Sequence, residues 1–133
     1  MNKKTISIEN IDHITYITII ERRIFLGITD QFRDELIKEV DRGIEFLILD
    51  LSNVSVMNSA GLGVLLQVRD KMIKRSHQLV LVGLHSVMQD IFSRMKLESF
   101  YTIYKTKEEA IRYLQTEIKK AYKLRNQKRE EPR

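Results

Sequence analysis

The sequence contains no cysteine, no tryptophan, one proline and three histidines. Without cysteine the chain cannot form disulfides, a thiolate zinc site, an iron–sulfur cluster or a thiol nucleophile. The histidines, His13, His77 and His85, are too few and too scattered to favour a His-rich metal site, so we expect no cofactor and no metal. Because the single proline is Pro132, no proline interrupts a helix in the body of the chain.

Long apolar runs and an apolar leader are also missing. The apolar runs extend over a handful of residues, far below the roughly 18 that a membrane span needs. The opening residues, MNKKTISIEN, contain lysines but no hydrophobic segment with a cleavage site, so they do not resemble a secretory signal. We therefore expect a cytoplasmic protein with no membrane span.

The net charge of +5 comes entirely from the C-terminal end. Residues 119–133 contain seven Lys or Arg against two Glu, whereas residues 1–118 contain 16 of each sign. Such a tail is typical of a solvated helix end, and a weak contact with RNA, lipid headgroups or an acidic partner is the functional alternative. Since Tyr122 is its only aromatic residue, a stacking platform for nucleic acid is not supported, and we expect no direct DNA binding.

Strands and helices alternate along the chain after an opening hairpin. Residues 5–11 and 14–20 are rich in β-branched side chains and predict two strands. The near-continuous apolar run 44–51 predicts a strand that is covered on both faces. This order predicts a single domain with an α/β fold, a mixed, mostly parallel sheet of about five strands with about four helices. Further strands are predicted at 78–82 and 102–104, and helices begin near residues 29, 59, 86 and 106.

The segment that carries most information is DLSNVSVMNSAGLG, residues 50–63. A buried strand ends here, and Ser59 stands at the start of a helix, where its hydroxyl is predicted to cap the first turn. The carboxyl ends of parallel strands are where open α/β folds place their sites. Gly61 and Gly63 each cost about 0.5–1 kcal/mol relative to alanine within a helix. They favour either tight packing on a strand or close approach by another molecule.

Known catalytic motifs do not fit this segment. A dinucleotide fingerprint fails because Leu66 stands where the third glycine belongs, and a phosphate-binding loop fails because the first lysine is Lys71. A hydrolase elbow needs glycine at position 57, which is Met57. These mismatches disfavour a small serine-dependent enzyme, which stays a rival interpretation, and we predict that the protein is not an enzyme. A serine triad would have to combine Ser59 with either His77 or His85 and with Asp90, and no motif supports that combination.

The segment resembles the signature of STAS domains, in particular of bacterial anti-sigma factor antagonists. The resemblance rests on Asp50-Leu51-Ser52 followed by Met57-Asn58-Ser59-Ala60-Gly61-Leu62-Gly63-Val64-Leu65-Leu66. The order of elements matches the family over residues 5–118. We therefore expect a STAS-like domain over residues 1–118 and a basic helix end and tail over residues 119–133.

The resemblance implies a partner-switching cycle. In the family, the unphosphorylated antagonist binds an anti-sigma factor that is also a GHKL-type serine kinase, and this binding releases the sigma factor. The kinase phosphorylates the motif serine, which is Ser59 here, and a PP2C-type phosphatase restores it. A weak dimer is also compatible with the family. The expected partner-binding residues are Asn58, Ser59, Ala60, Gly61, Leu62 and His85, the last because it follows the next strand at the same sheet edge.

Two positions depart from the family pattern. Asn58 stands where the family usually has aspartate, and Phe25 stands roughly where related domains carry another acid. Both changes remove negative charge near Ser59. They leave open a second interpretation, in which the chain is a non-phosphorylated STAS module that serves as a subunit of a transport ATPase or of a larger signalling complex.

Overall fold

The computed structural model describes residues 3–130, with side chains up to residue 127. These residues form seven strands and four helices. In chain order they are β1 (Ile6–Ile11), β2 (Ile14–Ile19), β3 (Arg23–Ile24), α1 (Thr29–Asp41), β4 (Phe46–Asp50), β5 (Val56–Met57), α2 (Ser59–Lys74), β6 (Gln78–Val82), α3 (Ser86–Arg94), β7 (Thr102–Tyr104) and α4 (Lys107–Glu130).

Five strands form the main sheet in the order β1-β2-β4-β6-β7. β1 is antiparallel to β2, and the other three pairings are parallel. The predicted α/β fold with a mixed, mostly parallel sheet is therefore confirmed. Because the four parallel strands point the same way, their last residues share one edge, which we call the C-terminal edge. Their first residues lie at the opposite, N-terminal edge.

The sheet is covered on both faces because strand side chains alternate between them. In β4, Leu47 and Leu49 pack with α1, α2 and α3, whereas Phe46 and Ile48 pack with α4. Leu47, Ile48 and Leu49 have no exposed surface. This explains why the segment is apolar at nearly every position. On the second face, α4 contributes Ala110, Leu114 and Ile118.

A two-stranded sheet that the sequence analysis did not predict lies beyond the C-terminal edge. β3 pairs in parallel with β5, with Ile24 opposite Met57. The pairing continues one step further, since the Asn58 N–H donates to the Ile24 carbonyl at 2.9 Å. The small sheet therefore holds the β3–α1 loop beside the start of α2.

The last helix runs from the C-terminal edge to the N-terminal edge and beyond. It starts with a capping box near the predicted position 106, where the Glu109 N–H donates to Thr106 Oγ1 at 3.2 Å. Near its other end, Arg125 pairs with Glu45, just before β4, at 3.1 Å. The helix crosses the domain boundary predicted at residues 118 and 119, and residues 131–133 of the predicted tail lie outside the described residues. No helix among residues 3–130 combines the length and apolarity that crossing a bilayer demands.

Candidate functional site

The first turn of α2 is capped by Asn58. Its backbone is extended (φ −77°, ψ 176°), and its Oδ1 accepts from the Gly61 N–H at 2.8 Å. The prediction that Ser59 caps this helix was wrong, because Asn58, one residue earlier, provides the capping oxygen. Ser59 is instead the first helical residue. Its hydroxyl is therefore not required to satisfy the helix backbone.

The two glycines of the first turns have different surroundings. A Cβ on Gly61 would lie 3.0 Å from Ile24 Cγ2 and 3.2 Å from Met57 Cβ, so this glycine permits close packing of α2 on the small sheet. A Cβ on Gly63 would meet nothing within 4 Å. Gly61 therefore serves the fold, whereas Gly63 leaves the outer surface of the helix flat.

Six residues were predicted to bind a partner, and they differ in accessibility. Ser59, Ala60 and His85 are exposed, and Asn58 is half-buried. Gly61 and Leu62 are buried, so a docked macromolecule would meet the others first. The outward-facing residues of this turn are Ser59, Ala60 and Gly63, and we call them the α2 face.

An exposed apolar tip lies beside the α2 face. Phe25 and Leu26 follow β3 and are 43% and 93% exposed. Gly27, with φ +88°, turns the chain back, and Thr29 Oγ1 donates to the Phe25 carbonyl at 2.8 Å to fix the turn. The exposure of these apolar side chains was not predicted from the sequence. The glycine directly after them was the available signal for a tight, exposed turn.

The charged residues at the start of β3 are mostly positive. A surface depression of about 470 Å³ is lined by Ile20, Glu21, Arg22, Arg23 and Ser55. The first turn of α2 contains no acidic residue. Since a helix N-terminus also carries partial positive charge, added negative charge at this end of the helix is electrostatically tolerated.

A hydrogen-bond network at the end of β4 shapes the loop that leads to Ser59. The Tyr16 hydroxyl donates to Asp50 Oδ2, and the Ser52 N–H donates to Asp50 Oδ1 at 2.8 Å. Burial, together with the neighbouring carboxylate of Asp50, raises the pKa of Tyr16 well above its usual value. Tyr16 therefore remains a neutral donor and holds the carboxylate at the end of β4 where it can order the loop.

His85 lies at the C-terminal edge, as predicted, and contacts the same loop. It precedes α3, and its Nε2–H donates to the Ser52 carbonyl. By contrast, His77 stands just before β6, at the N-terminal edge. Because β6 extends over about 15 Å, the geometry excludes a triad of Ser59 with His77. Among the described residues, no three His, Asp or Glu side chains cluster as a metal site would require.

Solved structures of low sequence identity share this fold. An anti-sigma factor antagonist from Mycobacterium paratuberculosis superposes with a TM-score of 0.75 at 19% identity, covering 84% of this chain and 93% of that one. The Bacillus cell fate determinant SpoIIAA in its phosphorylated form gives a TM-score of 0.63 at 19% identity, covering 82% of this chain and 98% of that one. The murine anion transporter Slc26a9 gives a TM-score of 0.68 at 21% identity, and the match covers 81% of this chain but 18% of the transporter chain.

The sequence itself matches a family model. No curated protein matches the sequence. The sequence family model of the STAS domain, however, matches residues 5–110 of this chain. These residues include the Asn58–Ser59 segment, the main sheet and the start of α4. This family is generally non-enzymatic, in agreement with the prediction that the chain is not an enzyme. The chain belongs to the STAS domain family, as the resemblance of residues 50–66 predicted.

Proposed function

We propose that this protein is an anti-sigma factor antagonist, which binds an anti-sigma factor and thereby releases a sigma factor. One observation carries the proposal: the α2 face is exposed, and the exposed apolar tip of Phe25 and Leu26 directly follows Ile24, whose carbonyl accepts from the Asn58 N–H at 2.9 Å. Apolar side chains next to small residues allow a partner to approach the helix backbone closely and to bury the tip. An exposed apolar patch of this kind is typical of a protein-binding surface.

In this proposal, phosphorylation of Ser59 switches binding off. The kinase is the anti-sigma factor itself, of the GHKL type, and a PP2C-type phosphatase reverses the modification. A phosphate adds about −1.5 to −2 charges at neutral pH. At the first position of α2 those charges face the helix N-terminus, so the domain stays folded. The same charges would be desolvated in an interface with the apolar tip, which opposes docking.

The neutral side chains of Asn58 and Phe25 are compatible with such a switch. Both stand at positions where the family usually has acids, so they do not repel a phosphate on Ser59. Asn58 retains the capping hydrogen bond to the Gly61 N–H, which keeps the helix start in place. Arg22 and Arg23, which precede the apolar tip, are exposed basic residues.

A second candidate function is a constitutive STAS module within a transport ATPase or a larger signalling complex. The prominence of the apolar tip favours it, since Leu26 is almost fully exposed and a permanent partner would cover it. In that case Ser59 is only the first residue of a helix and receives no phosphate. The two functions therefore differ in whether Ser59 is modified.

Capture by an immobilised candidate anti-sigma kinase tests the proposal. The wild type, Ser59→Ala and Ser59→Asp are compared with Ser86→Asp as the matched control. Ser86 is exposed and is the first residue of α3, just as Ser59 is the first residue of α2. We expect the wild type, Ser59→Ala and Ser86→Asp to bind equally, and Ser59→Asp to bind at least about tenfold more weakly.

Intact-mass measurement after incubation with the kinase and ATP tests the switch separately. We expect one added phosphate that maps to Ser59 and is absent from Ser59→Ala. Equal capture of Ser59→Asp and Ser86→Asp would contradict the proposal that the partner docks on the α2 face. Capture without phosphate transfer would support the constitutive module instead.

A further inference from the structure

The connections after β6 and β7 diverge to opposite faces of the sheet. The loops after β2, β4 and β6 lead to α1, α2 and α3, whose buried side chains Phe32, Leu65 and Phe92 share one core cluster. The loop after β7 leads to α4, which packs on the other face through Ala110 and Leu114. Where neighbouring parallel strands send their connections to opposite faces, a crevice opens beyond their carboxyl ends, and open α/β folds bind ligands there.

A cavity of about 790 Å³ lies at this divergence. It is bounded by the loop after β6 (residues 83–85), by Gln89 and Phe92 of α3, and by the edge strand β7. Its volume falls within the roughly 300–1,000 Å³ range of small-molecule sites. A crevice of this size accommodates a small organic molecule.

The lining combines an apolar wall with a positive end. Phe92 and Tyr101 stand with ring centroids 5.7 Å apart, and Ile103 lies beside them. Lys105, directly after β7, makes no ion pair with any side chain between residues 3 and 127. Glu98 also lines the cavity; it precedes β7, whereas Lys105 follows that strand.

The start of α3 adds to the positive end of the cavity. Leu84, His85 and Gln89, which stand on either side of the first three helical residues, line the cavity. No side chain caps this turn, because His85 makes no capping hydrogen bond there. Its N–H groups are therefore available to an anion, with the helix dipole favouring negative charge.

We propose that this crevice binds a small organic acid. Its apolar body lies against Phe92, Tyr101 and Ile103, and its acidic group faces Lys105 and the first turn of α3. The site is separate from the α2 face and does not depend on the function proposed for Ser59. It borders Ser52, however, so an occupied crevice would contact the loop that precedes α2.

Titration with anilinonaphthalene sulfonate, an aromatic body with a sulfonate group, tests this site. Fluorescence gives the dissociation constant, and amide NMR spectra of the labelled protein locate the contact. Lys105→Glu is compared with Lys123→Glu, an exposed lysine of α4 that undergoes the same change of charge. Unchanged dispersion of the amide spectrum verifies that each variant is folded.

We expect saturable binding with amide shifts in residues 83–89 and 101–105. Lys105→Glu should raise the dissociation constant at least about fivefold, since it reverses a charge adjacent to the sulfonate. Lys123→Glu should leave the constant unchanged. Absence of saturable binding, shifts confined to other residues, or equal effects of the two substitutions would each overturn the proposal.

Discussion

Gly61 and Gly63 provide an internal comparison within one helix. Each is replaced by alanine, and each replacement removes the same backbone freedom from the unfolded chain. In a helix this change stabilises by about 0.5–1 kcal/mol when the new methyl group has space. Gly63→Ala has that space, because nothing lies within 4 Å of the added Cβ. We expect it to raise the free energy of unfolding by about this amount.

Gly61→Ala introduces its methyl group into a packed region. The added Cβ would lie 3.0 Å from Ile24 Cγ2 and 3.3 Å from Met57 Sδ. Ile24 has no exposed surface and Met57 is 3% exposed, so neither side chain can move outward freely. Overpacking a core in this way costs about 1–3 kcal/mol. The backbone contribution is the same in both variants. The difference between their free energies of unfolding therefore isolates this packing cost.

Urea unfolding of the wild type and both variants, followed by circular dichroism, measures the difference. We expect the free energy of unfolding of Gly61→Ala to be lower than that of Gly63→Ala by about 1–3 kcal/mol. Each kcal/mol corresponds to about 4 °C in Tm for a domain of this size. Equal stabilisation by the two substitutions would refute the assignment of Gly61 to close packing. Gly63→Ala also adds a methyl group to the α2 face, so we expect it to weaken partner capture even though it stabilises the fold.

Two further substitutions test the capping residue and a tyrosine whose hydroxyl is buried. Asn58→Ala should lower the free energy of unfolding by about 1 kcal/mol, while Asn58→Asp should restore it, as measured by urea denaturation. Burial raises the pKa of Tyr101 to about 12, and its hydroxyl has no hydrogen-bond partner within residues 3–127. The stability linked to neutral Tyr101 is present below pH 10 and is lost as the pH rises from 10 towards 12. Tyr101→Phe should therefore lose less stability than the wild type between pH 9 and pH 11 in thermal unfolding, and an identical loss would contradict this reasoning.

The main sheet could be predicted from the sequence because its strands have a strong pattern. The apolar run that contains β4 indicated a strand covered on both faces, and Leu47 and Ile48 do face different cores. The small sheet could not be predicted, because two-residue strands such as β3 carry no periodicity. Its position depends on tertiary contacts such as the pairing of Ile24 with Met57.

The candidate site was predicted in position but not in detail. The order of strand, loop and helix placed Ser59 at the C-terminal edge, where the structure has it. Both Asn58 and Ser59 are good capping residues, and sequence preference does not distinguish between neighbouring candidates. The exposure of Phe25 and Leu26 depends on the turn at Gly27 and on the small sheet, which involve residues distant in sequence.

The direction of the first strand and of the last helix has a practical consequence for attaching labels. β1 starts at the same edge as the α2 face, since the Ile20 N–H donates to the Thr5 carbonyl at 2.8 Å. The final turns of α4 lie at the far edge, where the Tyr122 hydroxyl meets His13 Nε2 at 3.1 Å. A fluorophore or surface tether joined after α4 is therefore attached at the edge opposite to Ser59, whereas one joined ahead of β1 is attached at the same edge as Ser59.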